Sequence, residues 1–262
     1  MASSGVTPVG YDDRGSGPAT VLLHPFPFSR SIWAGIAEAL AARRRVITVD
    51  GRGFGESPAA GPFAIADLAD DLAALLDRLD VARATVLGMS MGGYAALAFA
   101  ARHRDRLSGL VLADTRAAAD SADVRAGRGA ALATLASAGP DAYLAGSLPR
   151  LLSPNAPPAR VAHLRARAET RAASLRAGIE ALRDRPDRTA ELGAIACPTL
   201  VLCGAEDQVT PAAEMKQIAA AIAGARFVPL PGAGHIAHVE APGAFLLALT
   251  SFLDGAAEAR AT

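Results

Sequence analysis

The chain has 262 residues, of which 51% are hydrophobic and 20% charged, and its formal net charge at pH 7 is zero. This balance argues against a disordered chain and against a general electrostatic attraction to nucleic acid or to an anionic membrane. The length suits one core domain that carries an insertion. We expect no membrane-spanning segment, since no run approaches the roughly 18 apolar residues it would need. The first residues show no secretory signal, and Cys197 and Cys203 are predicted to be free thiols, so a cytoplasmic location is expected.

Short apolar runs alternate along the chain with longer helical patterns rich in Ala and Leu. Runs that are apolar on both faces are typical of parallel strands covered by helices. The predicted strands are an edge strand at 6–13 and core strands at 20–23, 46–49, 85–87, 110–113, 199–203 and 227–230. The predicted helices are 31–42, 65–79, 91–104, 211–223 and 242–254, the fourth capped by Thr210. The alternation predicts an α/β protein with a doubly wound, mostly parallel sheet of about eight strands.

Residues 116–188 interrupt this alternation. They contain several helical patterns, no convincing strand and a proline-rich stretch at 154–158. We interpret them as a helical cap, or lid, inserted over the carboxyl ends of the strands. Residues 1–115 and 189–262 then form the core. Most of the arginines in the insertion are interpreted as a solvated face.

The strongest motif is Gly-x-Ser-x-Gly, which lies at 88–92 between an apolar run and a helical pattern. A serine that projects its hydroxyl from a sheet must occupy a tight, strained turn, and the residues two before and two after it must be small. Gly88 and Gly92 meet that condition on either side of Ser90. The helix that follows presents unpaired N–H groups where an oxyanion would form. The motif therefore predicts a nucleophilic serine.

A serine hydroxyl needs a base, and the position of His235 makes it the preferred candidate. It follows the last predicted strand in the sequence Pro-Gly-Ala-Gly-His, so its loop can reach Ser90 at the same edge of the sheet. His238 is the alternative, and otherwise a pocket or surface residue. The other histidines are assigned to an oxyanion loop, a helix C-terminus and the surface: His24, His103 and His163.

The third member of such a site is a carboxylate that fixes the histidine tautomer. Asp207 follows a predicted strand and is the preferred acid. Asp114 also follows a strand, within reach of the histidine, and stays the alternative. Glu206 is expected to be solvated, and Asp50 is expected to be a structural carboxylate in a turn.

The order of Ser90, Asp207 and His235 along the chain is that of the α/β-hydrolase fold. Over nearly its whole length the chain resembles a member of the α/β-hydrolase superfamily. It is most similar to the small bacterial esterases and lactonases grouped with 3-oxoadipate enol-lactonase and with cofactor-free haloperoxidases and arylesterases. The segments that carry the resemblance are His24-Pro-Phe-Pro27, Asp50-Gly-Arg-Gly-Phe-Gly-Glu-Ser57, Gly88-Met-Ser-Met-Gly92, Gly204-Ala-Glu-Asp207 and Gly234-His235.

The resemblance implies that two backbone N–H groups, those of Phe26 and Met91, form the oxyanion hole. The chain departs from the usual His-Gly-x-Pro pattern at Pro25, which lacks an N–H group but leaves the N–H of Phe26 available. The residues predicted to line the substrate pocket are Phe28, Trp33, Met89, Tyr94, Val209 and Ile236, with leucines of the insertion.

The expected activity is hydrolysis of carboxylic ester or lactone bonds in small to medium substrates, through an acyl-enzyme on Ser90. C–C bond hydrolysis or a perhydrolase reaction on the same residues is an alternative. A non-catalytic ligand-binding protein on this fold is a second class that the sequence leaves open. No cofactor, metal or nucleic-acid partner is expected, and homo-oligomer formation stays open.

Overall fold

A computed structural model describes residues 5–58 and 61–258, and these residues contain one seven-stranded sheet. Its order is β1-β3-β2-β4-β5-β6-β7; β1 runs antiparallel to β3, and the other neighbours are parallel. The strands are β1 (Tyr11–Arg14), β2 (Ala19–Leu23), β3 (Arg45–Val49), β4 (Ala84–Met89), β5 (Leu107–Ala113), β6 (Thr199–Gly204) and β7 (Arg226–Leu230). The predicted α/β class and mostly parallel sheet are confirmed, with seven described strands where about eight were expected.

The edge strand begins at Tyr11, later than predicted, because other groups bind the backbone before it. The N–H of Thr7 donates to the Asp71 carboxylate at 2.7 Å, and the N–H of Gly10 donates to the Ser57 hydroxyl at 2.9 Å. Those donors are therefore not available to a neighbouring strand.

Nine α-helices lie in the described residues, and none of them is long and apolar enough to cross a membrane. They are α1 (Ala34–Ala41), α2 (Ile65–Arg78), α3 (Met91–Arg102), α4 (Ala122–Ser147), α5 (Pro158–Arg165), α6 (Ala172–Arg183), α7 (Ala212–Ala221), α8 (Ala237–Glu240) and α9 (Pro242–Glu258). The predicted first helix is divided into a 3-10 turn, Arg30–Trp33, and α1. The short α8 was not predicted.

The sheet is buried on both faces, as its continuous apolar strands require. Successive residues of β2 point to opposite sides: Val21 and Leu23 belong to the apolar cluster that contains α2 and α3, and Leu22 to the cluster that contains α1 and α9. Every residue of β4, β5 and β6 is buried. Strands covered on both faces have no polar alternation, which is why the apolar runs were visible in the sequence.

The strand order reverses between β2 and β4, because the chain leaves β2 for β3 on one side and returns to β4 on the other. In open α/β sheets, ligands bind at the carboxyl ends of the strands beside such a reversal. Ser90 directly follows β4 and lies at this point.

Residues 116–188 contain α4, α5 and α6 and no strand. The helix α4 is kinked at Gly139, which has a φ of 80° and directly precedes Pro140. The insertion packs tightly on the core near the end of β2, since a Cβ atom at Gly178 of α6 would lie 2.6 Å from the ring of Phe26. Leu144 and Leu148 join the same apolar cluster as residues of α1 and α9. This helical segment therefore packs against the loop that follows β2; its role as a cap stays a prediction, and we use the name cap for residues 116–188 below.

Candidate active site

Ser90 occupies the sharp turn between β4 and α3, with φ 51° and ψ −114°. Its N–H donates to the carbonyl oxygen of Ala113 at 3.0 Å, which fixes the turn against β5. A Cβ atom at Gly88 would lie 2.7 Å from the backbone nitrogen of Gly93, and one at Gly92 would lie 2.6 Å from the carbonyl carbon of Leu23. Both glycines are thus required by close backbone approach, the steric condition on which the serine prediction depends.

His235 lies between Ser90 and Asp207, which the sequence had assigned as its partners. Its Nε2 is 2.8 Å from the Ser90 hydroxyl oxygen, and its Nδ1 is 2.8 Å from Asp207 Oδ2. All three residues are buried: Ser90 is 9% exposed, His235 1% and Asp207 6%. In the neutral imidazole, Nδ1–H donates to the carboxylate and Nε2 accepts the serine proton. This places an acceptor beside a hydroxyl in a water-poor site.

Asp207 is held as a carboxylate by several donors. The N–H groups of Val209 and Thr210 donate to Oδ1 at 2.7 and 3.0 Å, and the Thr210 hydroxyl donates to Oδ2 at 2.6 Å. Burial alone would raise the pKa of Asp207, but the interactions with His235 and then Thr210 outweigh it and lower this pKa overall. The group facing the histidine is therefore an anion at neutral pH.

The role predicted for Thr210 was wrong. The helix α7 begins at Ala212 with Pro211 at its N-cap, and the Thr210 hydroxyl binds Asp207 instead. The same hydroxyl oxygen lies 3.2 Å from His235 Nδ1. The only signal for this role in the sequence is a threonine three residues after the acid, a position that also suits a helix N-cap.

Replacing Thr210 by valine should lower kcat for ester hydrolysis by about tenfold. Valine keeps the volume but removes the hydroxyl, and a hydrogen bond to a charged group contributes about 1.5–3 kcal/mol. The backbone donors to Asp207 remain, so the loss should be partial. Steady-state kinetics measures it, with Thr250→Val as control because that hydroxyl binds α9 carbonyls. An unchanged kcat in Thr210→Val would contradict the role.

Asp114, the alternative acid, does not contact the histidine. Its Oδ1 accepts from the N–H of Gly204 at 2.7 Å instead. Complete burial, and then the negative charge of Asp207, raise the pKa of Asp114 well above its ordinary value. Asp114 is therefore a weaker acid than the neighbouring Asp207.

The ligand atoms of Asp114, Cys203 and Asp207 lie within 4.8 Å of one another, but their chemistry does not suit a metal ion. Burial, together with the charges of the two aspartates, raises the pKa of the Cys203 thiol, whose sulfur donates to the Gly204 carbonyl at 3.1 Å. A thiol that keeps its proton is a poor ligand, and Asp207 is already engaged by His235.

Asp114→Asn should raise the free energy of unfolding at pH 7 and leave kcat within about threefold. Asp114 binds its proton more tightly folded than unfolded, so wild-type stability falls as pH rises from about 3.8 towards the folded pKa. Asparagine has no proton to lose over this pH range, so the stability of the variant does not fall in this way. Its side-chain oxygen can still accept from the N–H of Gly204, and asparagine tolerates the φ of 42° at this position. Urea unfolding at pH 4 to 8 should show a difference that grows with pH. Were Asp114 the catalytic acid, kcat would fall by about 10⁴-fold instead.

The loop proposed for the oxyanion hole is fixed by His24. The N–H of Gly51 donates to His24 Nε2 at 2.9 Å, and Nδ1 donates to the Pro25 carbonyl at 3.0 Å. Burial lowers the pKa of His24, so the imidazole stays neutral and can accept at Nε2 while it donates from Nδ1. The Pro25 carbonyl also accepts from the N–H of Phe28 at 3.0 Å. The loop therefore forms a hydrogen-bonded turn even though proline replaces the usual glycine after His24.

Phe26 and Met91 follow the adjacent parallel strands β2 and β4, so both lie at the same edge of the sheet. The start of α3 packs against the end of β2, since a Cβ atom at Gly92 would overlap Leu23. The ring of Phe26 meets Phe54 edge-on at 5.9 Å and Tyr143 of the cap at 6.5 Å. The backbone at Phe26 is therefore held from both the core and the cap. Its N–H as an oxyanion donor stays a prediction.

Four of the predicted pocket residues lie fully buried in the apolar cluster that includes cap leucines: Phe28, Trp33, Met89 and Ile236. Tyr94 packs elsewhere, with the Arg185 guanidinium 4.2 Å above its ring, and Val209 is half-buried. The lining of the pocket stays a prediction.

His238 is buried, which rules out a surface position. Its ring stacks on Trp33 at 4.3 Å between centroids, and its Nε2 donates to the Ile32 carbonyl at 3.2 Å. Burial lowers the pKa of His238 to about 4, so this histidine is neutral. Both contacts lie on the side of α1 and α9, which gives His238 and Trp33 a packing role.

The other polar candidates lie where their neighbours satisfy them. Asp50 accepts from the backbone N–H groups of Arg30 and Glu56 at 2.7 and 2.9 Å, as a structural turn carboxylate does. His103 lies 2.9 Å from the Asp70 carboxylate, and His163 is exposed. Glu206 is half-exposed.

Comparison with known proteins identifies the family. The sequence model described as alpha/beta hydrolase fold matches residues 18–242. The chain belongs to this family. A relative named "Putative carbamate hydrolase RutD", from Caulobacter sp. strain K31, is 33% identical over 240 residues, which cover 87% of this chain and 88% of that protein.

Solved α/β-hydrolase structures are similar over nearly the whole chain. A thermophilic esterase from Thermogutta terrifontis is 35% identical with a TM-score of 0.90, covering 95% of this chain and 93% of that one. The enol-lactonase from Burkholderia xenovorans LB400 is 33% identical with a TM-score of 0.86, covering 94% and 96%. The predicted resemblance to esterases and lactonases of the α/β-hydrolase superfamily is confirmed.

Proposed function

We propose that this α/β hydrolase cleaves carboxylic ester or lactone bonds through an acyl-enzyme on Ser90. The observation that carries the proposal is the pair of 2.8 Å contacts that His235 makes, one to the serine hydroxyl and one to the Asp207 carboxylate. A hydroxyl, an imidazole and a buried carboxylate in this relation form an activated nucleophile.

In the acylation step, the Ser90 oxygen attacks the carbonyl carbon while His235 Nε2 takes its proton. Asp207 stabilises the imidazolium that results, because its carboxylate stays ionised in the buried site. The N–H groups of Phe26 and Met91 donate to the oxyanion. The imidazolium then protonates the leaving alcohol oxygen, and the C–O bond breaks to leave an ester on Ser90.

In the deacylation step, water takes the place of the leaving alcohol. His235 removes a proton from this water as its oxygen attacks the acyl carbon, and the imidazolium returns the proton to Ser90 as the acid departs. With a lactone, the same two steps leave one product that carries both the new hydroxyl and the carboxylate.

The closely packed cap favours small to medium substrates. Apolar cap residues such as Leu144 and Leu148 are fully buried, and Tyr143 meets the ring of Phe26. The similarity to an esterase and an enol-lactonase supports the same substrate class. Carbamates belong in the test, because a relative bears that name and a carbamate carbonyl would use the same nucleophile.

The test is a panel of p-nitrophenyl esters of increasing acyl length, simple lactones and aryl carbamates, each assayed with wild type and Ser90→Ala. A fluorophosphonate should add its mass to the Ser90 peptide of wild type and not to the variant. Ester or lactone turnover that depends on Ser90 is the expected result. Turnover of esters that persists in Ser90→Ala would refute the acyl-enzyme. Labelling without turnover of any ester or lactone would refute the substrate class.

A further inference from the structure

The carboxylate of Glu240 joins the loop of His235 to the cap. Glu240 is the last residue of α8, and its Oε2 accepts from the N–H of Gly234 at 2.7 Å. The N–H of Ser153, in the cap, donates to both oxygens of the same carboxylate, at 3.0 Å to Oε1 and 3.2 Å to Oε2. One side chain thus holds the residue directly before the histidine and a residue of the inserted segment.

The residue after the histidine is also bound to the cap. The N–H of Ile236 donates to the Leu151 carbonyl at 3.2 Å. On the other side, a Cβ atom at Gly234 would lie 2.5 Å from the carbonyl carbon of Leu152, so the two backbones are in direct contact. His235 is therefore flanked on both sides by backbone groups that the cap segment 151–153 positions.

The Glu240 carboxylate is suited to this task by its charge. Hydrogen bonds from backbone N–H groups to an ionised acceptor are shorter and stronger than neutral ones. The side chain also reaches both segments from a third element, so neither segment can move alone without breaking one of the bonds. A second link lies nearby, since the Arg160 guanidinium of α5 donates to the Val239 carbonyl.

We propose that Glu240 is a positioning residue. By binding both the loop of His235 and the cap, it keeps His235 within hydrogen-bond distance of Ser90. This inference rests on the proposed function, because the geometry it protects is that of nucleophile and base. It also means that the base is correctly placed only while the segment 151–153 is in place. Cap position and catalytic geometry are then coupled through one carboxylate.

A positioning role and a merely structural role differ in what they change in folded protein. Small misplacements of reacting groups lower kcat steeply, whereas substrate binding that does not involve the base leaves KM unchanged. A structural role would lower the unfolding temperature and leave the kcat of the folded fraction as it was. The split between kcat and KM therefore separates the two.

The experiment uses the full chain with Glu240→Ala, Glu240→Asp, Glu240→Gln and, as a matched control, Glu38→Ala on the exposed face of α1. In Glu240→Ala, kcat for p-nitrophenyl acetate should fall by about tenfold to a hundredfold, with KM within about twofold. The rate at which a fluorophosphonate labels Ser90 should fall by the same factor. Glu38→Ala should match wild type.

The conservative variants give an internal scale. Glutamine can place its oxygen at the Oε2 position and accept from Gly234, but it loses the charge and puts its NH2 group 3.0 Å from the Ser153 nitrogen, so kcat of Glu240→Gln should lie between wild type and Glu240→Ala. Aspartate withdraws the carboxylate by one methylene and should lie between glutamine and alanine. If Glu240→Ala does not fold, unchanged kcat and labelling in Glu240→Asp overturn the inference. Unchanged values in a folded Glu240→Ala overturn it directly.

A substrate-free measurement separates this inference from the proposed function. A proton on His235 Nδ1 that is hydrogen-bonded to Asp207 should give a downfield proton resonance, assigned by its loss in His235→Ala. Disappearance or shift of this signal in Glu240→Ala supports the positioning role even if no ester is hydrolysed. An unchanged signal overturns it. Failure of wild type to hydrolyse esters or lactones refutes only the proposed function.

Discussion

Alanine at Ser90, alanine at His235 and the two substitutions together should each lower kcat for ester hydrolysis by about 10⁴- to 10⁶-fold. The hydroxyl and the imidazole lie 2.8 Å apart and act as one unit, because the base has no proton to remove without the serine. Removing the second member therefore costs almost nothing more. The activity that remains comes from the oxyanion donors and substrate binding.

The non-additivity is measured by steady-state kinetics on the two single variants and the double variant, prepared from expression strains that supply no wild-type enzyme. His163→Ala is the matched control, since that histidine is exposed on α5. It should retain wild-type kcat. Effects of the two single substitutions that multiply in the double variant would show that Ser90 and His235 act independently, contrary to the proposed mechanism.

The parts of this molecule that were predicted are those that neighbouring residues determine. The turn at Ser90 could be recognised from five consecutive residues, because the close backbone contacts of the turn require glycine at positions 88 and 92. The buried strands were visible because both faces of the sheet are covered, so their sequences are continuously apolar. Asp207 and His235 followed from a simple rule: the carboxyl ends of parallel strands meet at one edge.

The parts that were missed depend on partners that are distant along the chain. Nothing near Glu240 in the sequence indicates that its carboxylate will meet the N–H of Ser153. His238 was not recognised as a packing residue because its partner, Trp33, lies at the other end of the chain. The edge strand begins later than its apolar pattern predicts because Asp71 and Ser57 bind the backbone N–H groups of Thr7 and Gly10. Such contacts belong to tertiary structure and leave no local pattern.

Gly92→Ala should lower the unfolding temperature by about 5–10 °C and kcat by about a hundredfold or more. A Cβ atom at this position would overlap the carbonyl group of Leu23, lying 2.6 Å from its carbon. Because the obstacle is backbone, α3 must move away from the end of β2, which corresponds to about 2–3 kcal/mol of stability. That movement separates the N–H of Met91 from the N–H of Phe26, the two proposed oxyanion donors.

The matched control for this steric argument is Gly129→Ala, in the middle of α4. A Cβ atom there meets nothing within 4 Å, so alanine should raise stability by up to about 1 kcal/mol through its better helix propensity and leave kcat unchanged. Both substitutions add one methyl group to a helix, and only the contact with Leu23 distinguishes them. Calorimetry and kinetics on the pair decide the matter. Equal unfolding temperatures would mean that α3 is not pressed against β2 as described. A destabilised but fully active Gly92→Ala would mean that the N–H of Met91 does not hold the oxyanion.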